Sequence, residues 1–240
     1  MEVLPLFVLP MVLMPGEVQE LRIFEPRYRQ MLDDCLLDEK NFGLVLNDPF
    51  EPINSWDGPR RHGCEVEILH HETKGVHHFI QIVGRRRFTV HNVIAPALPP
   101  MSDPLFEGRF EEDGLLPDLQ SLLEFVPEEV EHSKLYISAE VEYLAQYEPL
   151  SIEQQVSIKE LLNNVLTRIG LVLRIKEEML EPWIKERIEN SVDESPDSIS
   201  TVSTLVLNEL ETKQQVLSCN TVEEAVEELL FHASAIQEEE

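Results

Sequence analysis

Cysteine, glycine and lysine are all scarce in this chain of 240 residues, and each shortage excludes a class of protein. The three cysteines, Cys35, Cys64 and Cys219, are far apart and odd in number. They form no disulfide framework and fit a reducing cytosol. No Cys-x-x-Cys or His-Glu-x-x-His occurs, so the strong zinc and redox signatures are missing. Among nine glycines there is no Gly-x-x-x-x-Gly-Lys-Ser/Thr loop to cradle a phosphate, no Gly-x-Gly-x-x-Gly and no Gly-x-Ser-x-Gly elbow. No apolar run approaches the roughly 18–20 residues that span a bilayer. The N-terminus lacks a basic leader and a small-residue cleavage site, because Pro5, Pro10 and Pro15 interrupt its one apolar stretch. The expectation is a cytoplasmic protein that is neither secreted nor integral to a membrane. Lysine and arginine number 19 against 46 acidic residues, a formal charge of −27. Such a surface repels nucleic acid and anionic membranes.

What is present is unevenly spread. Residues 1–110 hold 11 Lys and Arg against 16 Asp and Glu, whereas residues 111–240 hold 8 against 30. Four prolines fall within residues 95–104, near the change. This seam suggests two subdomains, 1–110 and 111–240. The first reads as strands: Leu4 to Leu9, a piece around Val18, Leu21 and Ile23, Phe42 to Leu46, the alternating Cys64, Val66 and Ile68, Val76 to Val83, and Arg87 to Ala95. One helix interrupts them, opened by Pro26 with Tyr28, Met31, Leu32, Cys35 and Leu36 on one face. Residues 48–63, with three prolines, read as a long loop. The second subdomain reads as helices: residues 115–125, 130–147, a long one after the capping box Ser151-Ile152-Glu153-Gln154, one opened by Ser195-Pro196-Asp197, and a last one capped by Thr221.

Three features invite chemistry. His70-His71 and His77-His78 flank a predicted turn, and pairing of His71 with Val76 would set His70 opposite His77. No third ligand is evident, so a solvated hairpin tip is the reading preferred over a metal site. Arg85-Arg86-Arg87 could seat a carboxylate or phosphate, but alternation turns Arg86 away from its neighbours and acidic partners abound, which favours structural ion pairs. Met11-Val12-Leu13-Met14 is an apolar loop that either covers the core or offers an adaptable binding surface.

The runs Leu4-Pro5-Leu6-Phe7, Leu13-Met14-Pro15-Gly16, Phe24-Glu25-Pro26-Arg27-Tyr28 and Phe42-Gly43-Leu44-Val45-Leu46 closely resemble the N-terminal domain of the Lon protease family. Gly63-Cys64, Gly84-Arg85-Arg86-Arg87-Phe88 and, more loosely, Lys213-Gln214-Gln215-Val216-Leu217 extend the resemblance. It implies an α+β fold, a PUA-like β pseudo-barrel with one inserted helix followed by a C-terminal α-helical bundle. It also implies recognition of unfolded or damaged polypeptides, beside a cytosolic protease or chaperone. The ATPase and Ser-Lys peptidase segments have no counterpart here, so a stand-alone, non-enzymatic binding module is expected, with no cofactor and no metal. On this reading Val12, Leu13 and Met14 contact the client while Phe24 and Tyr28 line the adjoining groove, a core role being the competing reading for each of the two, and Arg27 pairs with Glu25 or another carboxylate rather than with a client. The alternative is a small molecule or nucleic acid in the barrel, favoured by Arg85 to Arg87 and opposed by the charge. The acidity itself suits either a soluble carrier of apolar loops or a salty cytoplasm. Stability measured in low and in molar salt separates the two.

Overall fold

Alternating apolar residues turn the first half of the chain into a curled sheet. The computed structural model describes residues 1–75, 77–107 and 117–238. Its strands are β1 (Glu2–Leu9), β2 (Val18–Ile23), β3 (Phe42–Ile53), β4 (Trp56–Lys74), β5 (His77–Ile94) and β6 (Ser138–Tyr143). They lie in the order β2-β5-β4-β3-β1-β6, and a further pairing of β5 with β6 closes five of them into a ring. Strand β1 runs parallel to β3 and antiparallel to β6, so two distant segments meet on it. The N-terminal half of β5 pairs with β2 instead, leaving the ring open to one extra strand there.

Helix α1 (Pro26–Asp38) carries proline at its first turn and turns Tyr28, Met31, Leu32 and Cys35 inward. These meet Phe7, Leu13, Ile23, Phe42 and Ile82 in one apolar cluster. A second cluster centres on Phe88, with Leu6, Val45, Ile137 and Val141. Phe88 has room because Gly43 and Gly63, on neighbouring strands, lack side chains. A methyl on Gly43 would sit 2.6 Å from the Phe88 ring, and one on Gly63 would meet the same ring at 2.6 Å and the Leu44 carbonyl at 2.7 Å.

Four expectations need correction. Residues 48–63 are not a loop: β3 continues to Ile53 and turns at Asn54 and Ser55 into β4. Both turn residues have left-handed φ, 47° and 67°, as a tight two-residue hairpin turn demands. Prolines 49 and 52 are tolerated because the ladder slips between Asp48 and Ile53. The two segments around 76–83 and 87–95 are one bent strand, β5. Residues 130–147 hold β6 rather than a helix. Ile137, Ala139 and Val141 are buried in alternation with more exposed neighbours, and the strand finds partners on both sides in β1 and β5. Of residues 115–125 only the short α2 (Leu119–Leu123) is helical among the described residues.

The remaining helices are α3 (Ile152–Val172), α4 (Glu177–Ser191), α5 (Asp197–Val206), α6 (Leu210–Ser218) and α7 (Val222–Glu238). The capping box forms as written: Ser151 Oγ accepts from the Gln154 amide, and Gln154 Oε1 accepts from the Ser151 amide. Thr221 and Glu224 cap α7 in the same reciprocal way. Helix α4, with Pro182 inside it, was not foreseen. Among the described residues no helix is long and apolar enough to cross a membrane. By contacts the chain divides into two compact units, Met1–Leu13 with Val18–Tyr143, and Met14–Glu17 with Leu144–Glu240. The boundary expected at 110/111 falls outside the described residues, and the segment up to Tyr143 belongs with the sheet.

The glycines beside Phe88 yield a direct test. Gly63→Ala should lower the unfolding free energy by about 1–3 kcal/mol through overpacking. Urea denaturation measures it, and an unchanged midpoint would contradict this packing.

Candidate functional site

The Phe-Glu-Pro-Arg-Tyr run sits where β2 ends and α1 begins, and each of its side chains has a different surrounding. Phe24 is 48% exposed, with the Arg22 guanidinium 6.0 Å from its ring centroid. Glu25 precedes the helix and accepts a hydrogen bond from Arg27 Nε at 2.9 Å, as expected for that pair. The Arg27 guanidinium is also sandwiched between the rings of Tyr28 and Trp56, 4.1 and 3.6 Å from their centroids. Tyr28 is buried, and its hydroxyl donates to the Val8 carbonyl at 2.7 Å. Burial raises its pKa, so the phenol stays protonated and the hydrogen bond persists at any physiological pH. Beside Arg27 lies an apolar cleft of about 70 Å³, bounded by Pro26, Trp56, Leu98 and Met101. Trp56 was hidden in the stretch read as a loop, so its stacking partner could not be seen in advance.

The five residues expected to meet a client are therefore not alike. Phe24 is exposed, while Val12, Leu13, Met14 and Tyr28 are all less than 5% exposed. Met14 belongs with Glu17 to the helical unit, where Glu17 accepts from the Met14 amide and from Thr204. Around Phe24 the outer face of the sheet carries Glu20 and Arg22 of β2, Phe79 and Gln81 of β5, and His70 and Glu72 of β4, which line a shallow groove. Strand β2 has β5 on one side, and among the described residues no strand pairs with its other edge.

Two of the three arginines, Arg85 and Arg86, are engaged in ion pairs. Arg85 Nε donates to Glu67 at 2.6 Å. Arg86 donates twice to Glu65, at 2.7 and 2.9 Å, and lies 3.6 Å over the Tyr143 ring. Arg87 is buried. The histidines pair differently from expectation. A tighter turn than expected pairs Lys74 with His77, and the same register sets His70 against Gln81, so His70 and His77 are not opposite each other. Instead His71 and His78 stack with centroids 5.2 Å apart and share a hydrogen bond of 2.9 Å. Burial lowers the His78 pKa, and His71 and Arg29 push it further down against the pull of Asp33. Among the described residues no group of three or more His, Cys, Asp or Glu could hold a metal.

With this geometry in place, the comparisons with known proteins become decisive. A family model described as the ATP-dependent protease La (LON) substrate-binding domain matches residues 3–234. The chain belongs to this family. The matched Lon domain is a substrate-binding part and not a catalytic one. Among solved structures, a Lon N-terminal domain protein from Xanthomonas campestris is similar at 20% identity and a TM-score of 0.57, covering 96% of this chain and 98% of that one. The N-terminal domain of a Mycobacterium avium complex Lon protease is similar at 16% identity and a TM-score of 0.60, covering 97% and 98%. At these identities the likeness establishes the Lon N-terminal fold alone. No curated protein matches the chain.

Glu65 is the best-defined electrostatic element of this Lon-type domain. Burial pushes its carboxyl upward, but hydrogen bonds from Arg86, Asn41 and Tyr143 outweigh that and hold its pKa below the ordinary 4.5. A depressed folded-state pKa means stabilisation that is complete above the unfolded value and lost as pH falls through the folded one. Glu65→Gln should cost about 1.5–3 kcal/mol at neutral pH and weaken the acid limb of the stability curve. A loss that is the same at pH 7 and pH 3 would contradict this role.

Proposed function

We propose that this chain is a non-catalytic module that holds apolar, extended stretches of unfolded or damaged polypeptide, acting as an adaptor or sequestering factor beside a cytosolic protease or chaperone. The family match over nearly the whole chain carries the reading. The five-strand ring is then the PUA-like barrel of that family, with the helical unit as its bundle. The unpaired edge of β2 offers backbone donors and acceptors to an added strand, the mode by which extended peptides dock on sheets. Phe24 and Val18 are exposed along that segment and suit alternate apolar side chains of the client. The buried four, Val12, Leu13, Met14 and Tyr28, hold the segment in place rather than touch the client. The three buried, separate thiols suit a reducing cytoplasm. The alternative, an anionic small molecule or nucleic acid at Arg85 and Arg86, loses its support because Glu67 and Glu65 already occupy them.

Titration with a permanently unfolded model client tests the proposal. Saturable binding should persist or strengthen as salt rises, since apolar contacts dominate. Phe24→Asp should weaken it by about tenfold while leaving the melting temperature unchanged, because the ring is half exposed. Affinity weaker than millimolar, or binding indifferent to Phe24→Asp, would overturn the site. Binding that collapses with ionic strength would point to phosphate contacts instead.

A further inference from the structure

We propose that the cleft beside Arg27 is a side-chain pocket of the client site, taking one branched aliphatic residue of an extended polypeptide together with its neutral peptide group. The inference rests on the client reading and adds to it a subsite and a preference. The cleft holds about 70 Å³, half the roughly 150 Å³ of a cavity that takes a benzene ring. A side chain of valine or leucine size fits, and an aromatic ring does not. The walls include Pro26, Trp56, Leu98, Met101, Phe106 and Leu122. The one strong hydrogen-bonding group among these side chains, the Trp56 indole N–H, already donates to the Leu98 carbonyl at 2.9 Å.

Two charged side chains stand at this cleft, Glu25 and Arg27. Arg27 donates through Nε to one Glu25 oxygen, and its guanidinium is fixed between the Tyr28 and Trp56 rings. Only 14% of the Arg27 side chain is exposed. Among the described residues, its two terminal amino groups and the second Glu25 oxygen make no hydrogen bond. A mostly buried guanidinium with idle donors thus sits beside an idle carboxylate oxygen. That pair complements a peptide group, whose carbonyl accepts from Arg27 and whose N–H donates to Glu25. The charges disfavour a terminal carboxylate. Glu25 offsets Arg27, and Asp57, which follows Trp56 and accepts from Asn47 at 2.7 Å, leaves the surroundings negative. A terminal ammonium would meet the Arg27 donors. The aromatic sandwich sets the guanidinium before binding, so little side-chain freedom is lost on contact. Glu25 directly follows Phe24, so a client laid along β2 and past Phe24 reaches the residues that frame the cleft.

The probe is a Ser- and Thr-rich peptide of about ten residues, blocked at both ends, with one central Leu that is replaced by Gly or Phe in two companions. Binding is followed by the Trp56 indole N–H resonance in the Trp183→Phe protein, where Trp56 is the sole tryptophan. The Leu peptide should shift that resonance saturably and bind about tenfold more tightly than the Gly peptide, the gain expected from burying one such side chain. The Phe peptide should leave the resonance in place. Met101→Phe, at a partly exposed position, should erase the Leu preference by narrowing the cleft. Binding of the Gly peptide, which needs only the fold and the β2 edge, should survive that change. Phe24→Asp should weaken all three peptides and preserve their ratio. Equal binding of the Leu and Gly peptides would overturn the pocket, as would tighter binding once either terminus is unblocked beside the Leu. Loss of binding to every peptide and to unfolded client alike would instead sink the client reading on which the pocket stands.

Discussion

The burial of Tyr28 is the constraint from which the rest of the sheet unit follows. Its ring lies 4.2 Å from that of Phe7 and its hydroxyl reaches the backbone of β1, so one side chain ties α1 to the strand that joins β3 to β6 in the ring. Pro26 stiffens the entry to the helix just before it, and Arg27 stacks on its ring while reaching back to Glu25. With α1 fixed there, β2 is held alongside β5, and among the described residues its far edge has no strand partner. A buried phenol with a satisfied hydrogen bond is worth more than its area alone, because the unpaired alternative leaves a polar group in an apolar core. The run from Phe24 to Tyr28 thus mainly shapes a surface; only Phe24 within it is laid open.

Electrostatics divides labour in the same way. In the sheet unit the strong cations are spent on structure: Arg85 and Arg86 on β5 bind Glu67 and Glu65 of β4, while Tyr143 of β6 stacks on Arg86 and donates to Glu65. These bonds stitch three strands at the point where the ring closes. In the helical unit the acids dominate. A surface so strongly negative keeps exposed apolar residues in solution.

Strands whose apolar residues alternate, and helices opened by proline or a capping box, were readable from their residues. So were the ion pairs of Arg85 and Arg86 and the pairing of Arg27 with Glu25. The failures share a physical cause, which is that the deciding partner is remote in sequence. Residues 137–143 alternate as a strand should, but the acidic spacing around them also fits a helix face, and β1 and β5 decide the matter. Prolines 49 and 52 argue against a strand until the slipped ladder around them is seen. The loop at Val12, Leu13 and Met14 gave no sign of which of its two readings holds, since burial depends on what packs over it. Trp56, which completes the Arg27 sandwich, carried no local signal at all.

The central claim is that an extended polypeptide adds to the free edge of β2. Amide hydrogen exchange with and without an unfolded client, read segment by segment, tests it most directly. The account predicts slowed exchange within Val18–Ile23 and at Phe24, with the α3–α4 connection unaffected. Saturating client with no change along β2, or protection confined to other segments, would contradict it.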